Sequence, residues 1–255
     1  MMNHDFHIHT ALCGHAESTM TVRNIIARAE QIGLKKIAIT EHIGSQDEME
    51  RINIIRQQVN QYNGPVQLIV GAEVDVDRHY WDGRLVINSR EEIDYLIGTI
   101  HFLPGTDIMP HCQKERPLTR EQTFERWRTC FTGLAANPLI DAIAHPGAMI
   151  ANALEFEVFD GKIIEVFRQA ADISAEHNVA WELNNLITKK LTQTQQDSYV
   201  NVFRIAKQAG LHLVYGSDAH CLSDIGTYDF VCSIMKQIEI FPKNLYQPNP
   251  ERKAT

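Results

Sequence analysis

The feature that most limits the folds open to this chain is an alternation of two hydrophobic rhythms. Short runs dense in apolar and β-branched residues alternate with stretches whose apolar residues recur every three to four positions, the patterns of strand and amphipathic helix. The strand "HDFHIHT" is followed by a helix bearing Val22, Ile25, Ile26 and Ala29, closed by Gly33, and then by the strand "KKIAITEH". The cycle continues with a helix around Ile52, Ile55 and Val59, the strand "VQLIVGAEVDV", a short helix at "REEIDY" and the strand "LIGTIH". A helix with Phe124, Trp127, Phe131 and Leu134 leads to the strand "IDAIAHPG", and one with Ile163, Ile164, Phe167, Ala170 and Ala171 to "VAWELNN". A helix with Tyr199, Val202, Phe203 and Ala206, the strand "LHLVYGSDAH" and a last helix near 228–240 complete seven strands.

Alternating β and α segments on this scale imply a mainly parallel sheet, either closed as a TIM-like barrel or open and doubly wound. No G-x-G-x-x-G and no P-loop follows any strand, so a dinucleotide or nucleotide-phosphate cradle is unsupported and the barrel is the better reading. At 255 residues and 44% apolar content, one domain over 1–245 is expected, with 246–255 as a polar, proline-bearing tail.

The net charge of −8, with no basic cluster to offset it, argues against a nucleic-acid or membrane-surface footprint. The five cysteines, Cys13, Cys112, Cys130, Cys221 and Cys232, are odd in number, far apart and free of C-x-x-C spacing, so neither a disulfide framework nor a thiolate zinc finger is expected. With no leader pattern and no long apolar run, a reduced cytoplasmic setting is expected. Nothing in the sequence fixes an oligomeric state.

The polar residues fall in a pattern. Strand one ends on His7 and His9, strand two on His42, strand three on Glu73, strand four on His101, strand five on His145, and strand seven on Asp218 and His220. His7 and His9, two apart on a strand, face the same side. With His15 from the first loop, seven of the twelve histidines sit at strand ends or the adjoining loop, where barrel enzymes build their active sites. Nine such residues, with Glu73 bridging, supply about ten bonds, whereas three four-coordinate ions need about twelve. Water or substrate fills the remainder, and open positions point to catalysis rather than to a structural site.

The segments "FHIHT", "HAEST", "ITEH", "GAEVD", "GTIHF", "HPG", "ELNN" and "GSDAH", in this order from residue 5 to about 240, resemble the PHP (polymerase and histidinol phosphatase) family of metal hydrolases. The resemblance implies a distorted seven-stranded βα barrel with a trinuclear centre. By position, His7, His9, Glu73 and Asp218 resemble the family's ligands of a first ion, Glu73, His101 and His145 those of a second, and His15, His42 and His220 those of a third. The run "HPG … ELNN … GSDAH" is closer to the family's small stand-alone phosphatases than to dedicated histidinol phosphatases, in which an aspartate is expected soon after the fifth-strand histidine.

Clustered divalent ions lower the pKa of bound water, clamp phosphoryl oxygens and offset charge in an in-line displacement. The expected activity is hydrolysis of a small phosphomonoester by a metal-bound hydroxide, with Asp218, His220 or His15 protonating the leaving alkoxide. Nitrogen and carboxylate donors suit Zn, Mn or Fe. Asn184 and Asn185 are candidates to orient substrate or ligands, or to cap the segment that follows. Arg168 and Arg78 are candidate phosphate contacts, and His79 and His111 candidate pocket-lining residues. His4, His177 and His212 read as structural or exposed, Cys13 and Cys221 as inert thiols. Two rival readings are an amidohydrolase-type enzyme acting on C–N or ester bonds, which also opens with His-x-His, and a non-catalytic metal-binding module. The fourth strand's His101 and the terminal "DAH" disfavour the first, and the full ligand set disfavours the second.

Overall fold

The structure, a computed structural model, describes residues 2–248. Seven parallel strands follow one another in chain order: β1 (His4–Ile8), β2 (Lys36–Ile43), β3 (Gln67–Asp75), β4 (Tyr95–Thr99), β5 (Ala142–Ile143), β6 (Ala180–Asn184) and β7 (Leu213–Gly216). The seam between β1 and β7 closes only near its upper end, where Ile8 bridges Ala219 and the His9 N–H donates to Ala219 O at 3.0 Å. Lower down, the buried Asp5 carboxylate closes it by accepting from the N–H groups of Ser217 and Gly226, each at 2.9 Å. The sheet is therefore a nearly closed, TIM-like (β/α)7 barrel, as the strand count predicts.

Among the described residues seven α-helices clothe it: α1 (Val22–Ile32), α2 (Glu50–Val59), α3 (Arg120–Ala135), α4 (Ala148–Leu154), α5 (Gly161–His177), α6 (Gln193–Gln208) and α7 (Asp229–Gln237). Thr21 caps α1 by accepting from Asn24 N–H, and Gly33 ends it with φ of 80°, a conformation only glycine adopts without strain. Reciprocal capping boxes, Thr119 with Gln122 and Thr192 with Gln195, start α3 and α6.

The helix expected at "REEIDY" is absent. Glu92 takes φ of 64° and Ile93 N–H donates to Arg90 O at 3.0 Å, making a turn, and Tyr95 already belongs to β4. Six residues offer too few hydrogen bonds to offset helix nucleation, and Arg90 is drawn instead to Asp141 at 2.6 Å. Conversely α4, a short helix directly after "HPG", was not expected, and β5 is only two residues long. His9, His101, His145, Asp218 and His220 thus lie just beyond strand ends rather than on them.

Alternation along the strands sorts side chains into two layers. Outward residues such as Ile39, Val70, Leu96, Ile143, Trp181 and Tyr215 join the helices in one large apolar cluster. Phe6, Ala38, Ile69, Tyr95, Ile97, Ala142, Ala144, Ala180 and Val214 form a second cluster inside the barrel. Of the tail expected from 246, Tyr246 packs against that inner cluster and its N–H donates to Leu213 O at 2.7 Å, and Lys36 Nζ meets Pro248 O. Residues 249–255 lie outside the described residues. Among the described residues no helix is long and apolar enough to cross a membrane.

Candidate metal centre

Above the inner apolar layer the same inward positions turn polar. On β3 the inward set runs Ile69, Gly71, Glu73, Asp75, and on β6 it runs Ala180, Glu182, Asn184. Two breaks in phase add further donors. A register irregularity in β1 between Asp5 and Ile8 lets Phe6 serve the inner core while His7 and His9 face the rim, the re-aiming that bulges perform beside functional sites. His145 and Asp218 follow their strands with φ of 26° and 61°, strained values that turn both side chains back over the barrel mouth.

His7, His9 and Asp218 make one tight group, and Glu73 approaches both of its histidines. His7 Nε2 lies 2.9 Å from His9 Nε2, 3.5 Å from Glu73 Oε2 and 3.6 Å from Asp218 Oδ1. His9 Nε2 lies 3.6 Å from Glu73 Oε2 and 3.3 Å from Asp218 Oδ1. A tetrahedron of donors with zinc-like arms has edges of about 3.3 Å, so the spacing fits a shared cation. The other Glu73 oxygen, Oε1, faces His145 Nε2 at 2.8 Å and His101 Nε2 at 3.6 Å. Glu73 therefore divides its two oxygens, Oε2 facing His7, His9 and, at 3.3 Å, His42, and Oε1 facing His145 and His101. Its Oε2 is buried with no hydrogen-bond donor, an arrangement that costs free energy unless a cation answers it.

The electrostatics agree. Burial would raise Glu73, but the rings of His101 and His7 and the hydrogen bond from His145 outweigh it and hold the carboxyl well below its usual range. Burial opposes ionisation of Asp218 too, and His7 and Lys190 overturn it in the same direction. Burial pushes His9 down to about 3 and also lowers His42 and His145, leaving neutral imidazoles whose lone pairs are free to ligate. For His7 and His101 burial loses: Glu182, Asp218 and Glu73 raise the first, Asp75 and Glu73 the second.

A further group gathers His9, His42 and His220, with ring centroids 4.4 Å apart for His9–His42 and 4.3 Å for His9–His220. His15, expected beside His42 and His220, stays exposed at the rim with its ring 5.6 Å from that of His42. Asn184 is buried, donating through Nδ2 to Glu182 Oε2 at 3.0 Å and Asp218 Oδ2 at 3.3 Å while Oδ1 accepts from Ile187 N–H. It orients a candidate ligand and caps the following turn at once. Asn185 accepts from Phe230 N–H at the start of α7.

The remaining candidates lie elsewhere. Arg168 is exposed on α5, 3.6 Å from Glu165, and the structure does not bring it to the histidine group. Arg78 pairs with Asp107 at 2.8 Å and stacks on Phe102, and His79 is exposed in the same loop. His111 lines a cleft of about 680 Å³ beside the centre, together with Arg116, Glu155, Phe156, Glu157 and Lys190.

Sequence reasoning missed four contributors. Asp75 Oδ1 accepts from His101 Nδ1 at 2.8 Å, and Glu182 Oε1 accepts from His7 Nδ1 at 2.6 Å. Buried Glu41 accepts from Thr10 Oγ1 and His42 N–H. Lys190 Nζ stands 3.9 Å from Asp218 Oδ2, at the boundary with the cleft. Period-two counting from Glu73 and from Ala180 was the signal for Asp75 and Glu182; for the lysine, a turn residue, there was none.

Known proteins resemble this chain over nearly all of its length. A "probable phosphatase" of Caldicellulosiruptor saccharolyticus is 25% identical over 247 residues, covering 94% of this chain and 88% of the relative. One from Clostridium acetobutylicum is 26% identical, covering 98% of this chain and 91% of the relative. Among solved structures, the histidinol phosphate phosphatase of Lactococcus lactis complexed with zinc, L-histidinol and phosphate superposes with a TM-score of 0.66 at 16% identity, covering 94% of this chain and 95% of that one. At that identity the likeness shows the shared fold. Residues 5–186 match the profile of the PHP domain, well over half of the 255 residues, and the chain belongs to the PHP domain family.

Proposed function

We propose that this chain is a metal-dependent phosphatase that hydrolyses a small phosphomonoester at a cluster of divalent ions. The observation that carries the reading is the division of Glu73 between His7, His9 and His42 on one oxygen and His101 and His145 on the other. His42 and His220, beside His9, would hold a third ion, and the nitrogen and carboxylate donors suit Zn, Mn or Fe. Phosphatase relatives and a zinc-containing structural neighbour support the same chemistry.

When bound, the ions supply an activated water and a clamp on the phosphoryl oxygens. The protein does the rest. Asp218 has both oxygens engaged, Oδ1 by His7 and His9 and Oδ2 by Asn184 and Lys190, which suits a ligand rather than a proton donor. His220 as a ligand has no proton to give, which leaves His15, exposed at the rim, as the histidine with access to a leaving alkoxide. His220 Nδ1 donates to Asp218 O at 2.8 Å, which turns its other nitrogen towards the centre. Lys190 is placed to meet a phosphoryl oxygen from the cleft side, and the cleft with His111 would take the leaving group.

Phosphate release from p-nitrophenyl phosphate by zinc- or manganese-loaded protein tests the proposal, with His9→Ala as comparison. Loss of release in the variant is expected; equal rates in both proteins would reject the reading. A screen of phosphorylated metabolites then names the substrate.

A further inference from the structure

Glu182 is a buried carboxylate that no ligand assignment uses, and its two oxygens reach both donor sets. It is buried at mid-height on β6, its side chain 2% exposed. Its Oε1 accepts from His7 Nδ1 at 2.6 Å, and its Oε2 accepts from His145 N–H at 2.7 Å and Asn184 Nδ2 at 3.0 Å. The neighbouring strand is built around it: a Cβ on Gly216 would overlap Glu182 Oε1 and His7 Cβ. So one side chain touches a donor of the first set, the strained backbone of a donor in the second, and the amide that holds Asp218.

We infer that Glu182 is a positioning residue that joins two metal positions, fixing His7 for ligation through Nε2 while holding the His145 backbone in the conformation that reaches Glu73. The inference rests on the metal-centre reading above. An imidazole with its Nδ1–H given to a carboxylate has its lone pair on Nε2, and the carboxylate also sets the plane of the ring. Only a carboxylate serves both ends, because all of its partners are donors. A glutamine has one acceptor oxygen. Turned towards His145 and Asn184, it presents its NH2 to His7 Nδ1, which must then accept, leaving the proton on Nε2 where a ligand atom is needed. Turned towards His7, it sets its NH2 against the His145 N–H and loosens the second set.

The test is metal binding rather than turnover. Metal-free wild type and Glu182→Gln are titrated with Zn²⁺ against a chromophoric chelator, and Co²⁺-loaded samples are compared by visible absorption. Glu182→Gln should bind its tightest ion about 10- to 100-fold more weakly and lose tetrahedral Co²⁺ absorption, with metal-free circular dichroism unchanged. Wild-type affinity and an unaltered Co²⁺ spectrum in the variant would overturn the inference. A wild type that binds no metal would instead overturn the metal-centre reading itself. A measurement on the wild type guards against a variant that does not fold: in Zn²⁺-loaded protein, long-range ¹H–¹⁵N correlation should show His7 protonated at Nδ1 and metal-bound through Nε2. Ligation through Nδ1 would also overturn the inference.

Discussion

The lower and upper halves of the barrel are built from the same strands and the same inward-facing positions, yet they obey opposite rules. The lower half is filled by Phe6, Ile69, Tyr95, Ile97 and Val214 between four alanines, with Tyr246 packed below. The upper half puts five histidines and three carboxylates (His7, His9, His42, His101, His145, Glu73, Glu182, Asp218) within a few ångströms of one another, most of them buried. The first arrangement stabilises a folded chain outright; the second costs stability until cations satisfy it. Stability and chemistry are thus separated by about two residues of strand.

Substitutions in the two halves should break apart experimentally. The largest effect belongs to the upper half: Glu73→Gln should cut phosphate release by about a thousand-fold, several kcal/mol of transition-state stabilisation, while circular dichroism stays native. Stripping the metal comes next. Chelation should lower the stability of the wild type by about 3–4 kcal/mol relative to protein held at 100 to 1,000 times its dissociation constant in Zn²⁺, read as a drop in Tm. In the lower half, Ile97→Ala should cost about 3 kcal/mol in urea unfolding and leave metal stoichiometry alone.

A pH titration sharpens the contrast further. Burial and the nearby Lys36 hold His4, at the base, down at about 4. Its folded value lies below its unfolded value, so the unfolded chain binds the extra proton. The contribution to stability is complete above about pH 6.5 and is lost as pH falls towards 4. His4→Gln should flatten that fall by on the order of 2 kcal/mol in metal-free protein; an unchanged slope would mean the ring is not shielded. The smallest effect is expected at Arg168, exposed on α5: Arg168→Ala should change kcat/KM by less than about twofold.

These two halves were not equally legible. The barrel and the rim histidines and carboxylates can be read from periodicity, because buried parallel strands must be apolar on both faces until the point where a polar residue appears. The missing helix at "REEIDY" could not, since the reach of Arg90 to Asp141 is a tertiary contact. Nor could the phase break in β1 or the left-handed turns at His145 and Asp218, which depend on strand pairing and strain. Arg168 looked eligible only because a sequence does not say which flank of a helix faces solvent.

The seam has a consequence for how such a chain is born. Asp5 finds Ser217 across 212 residues, so at ribosomal speeds of 5–20 residues per second the first strand waits about 10–40 s for its closing partner. Throughout that interval its outer edge stays unpaired and open to wrong neighbours. Asp218 and His220 emerge last of all, and a nascent chain can collect every histidine up to His145 without yet being able to close the basket.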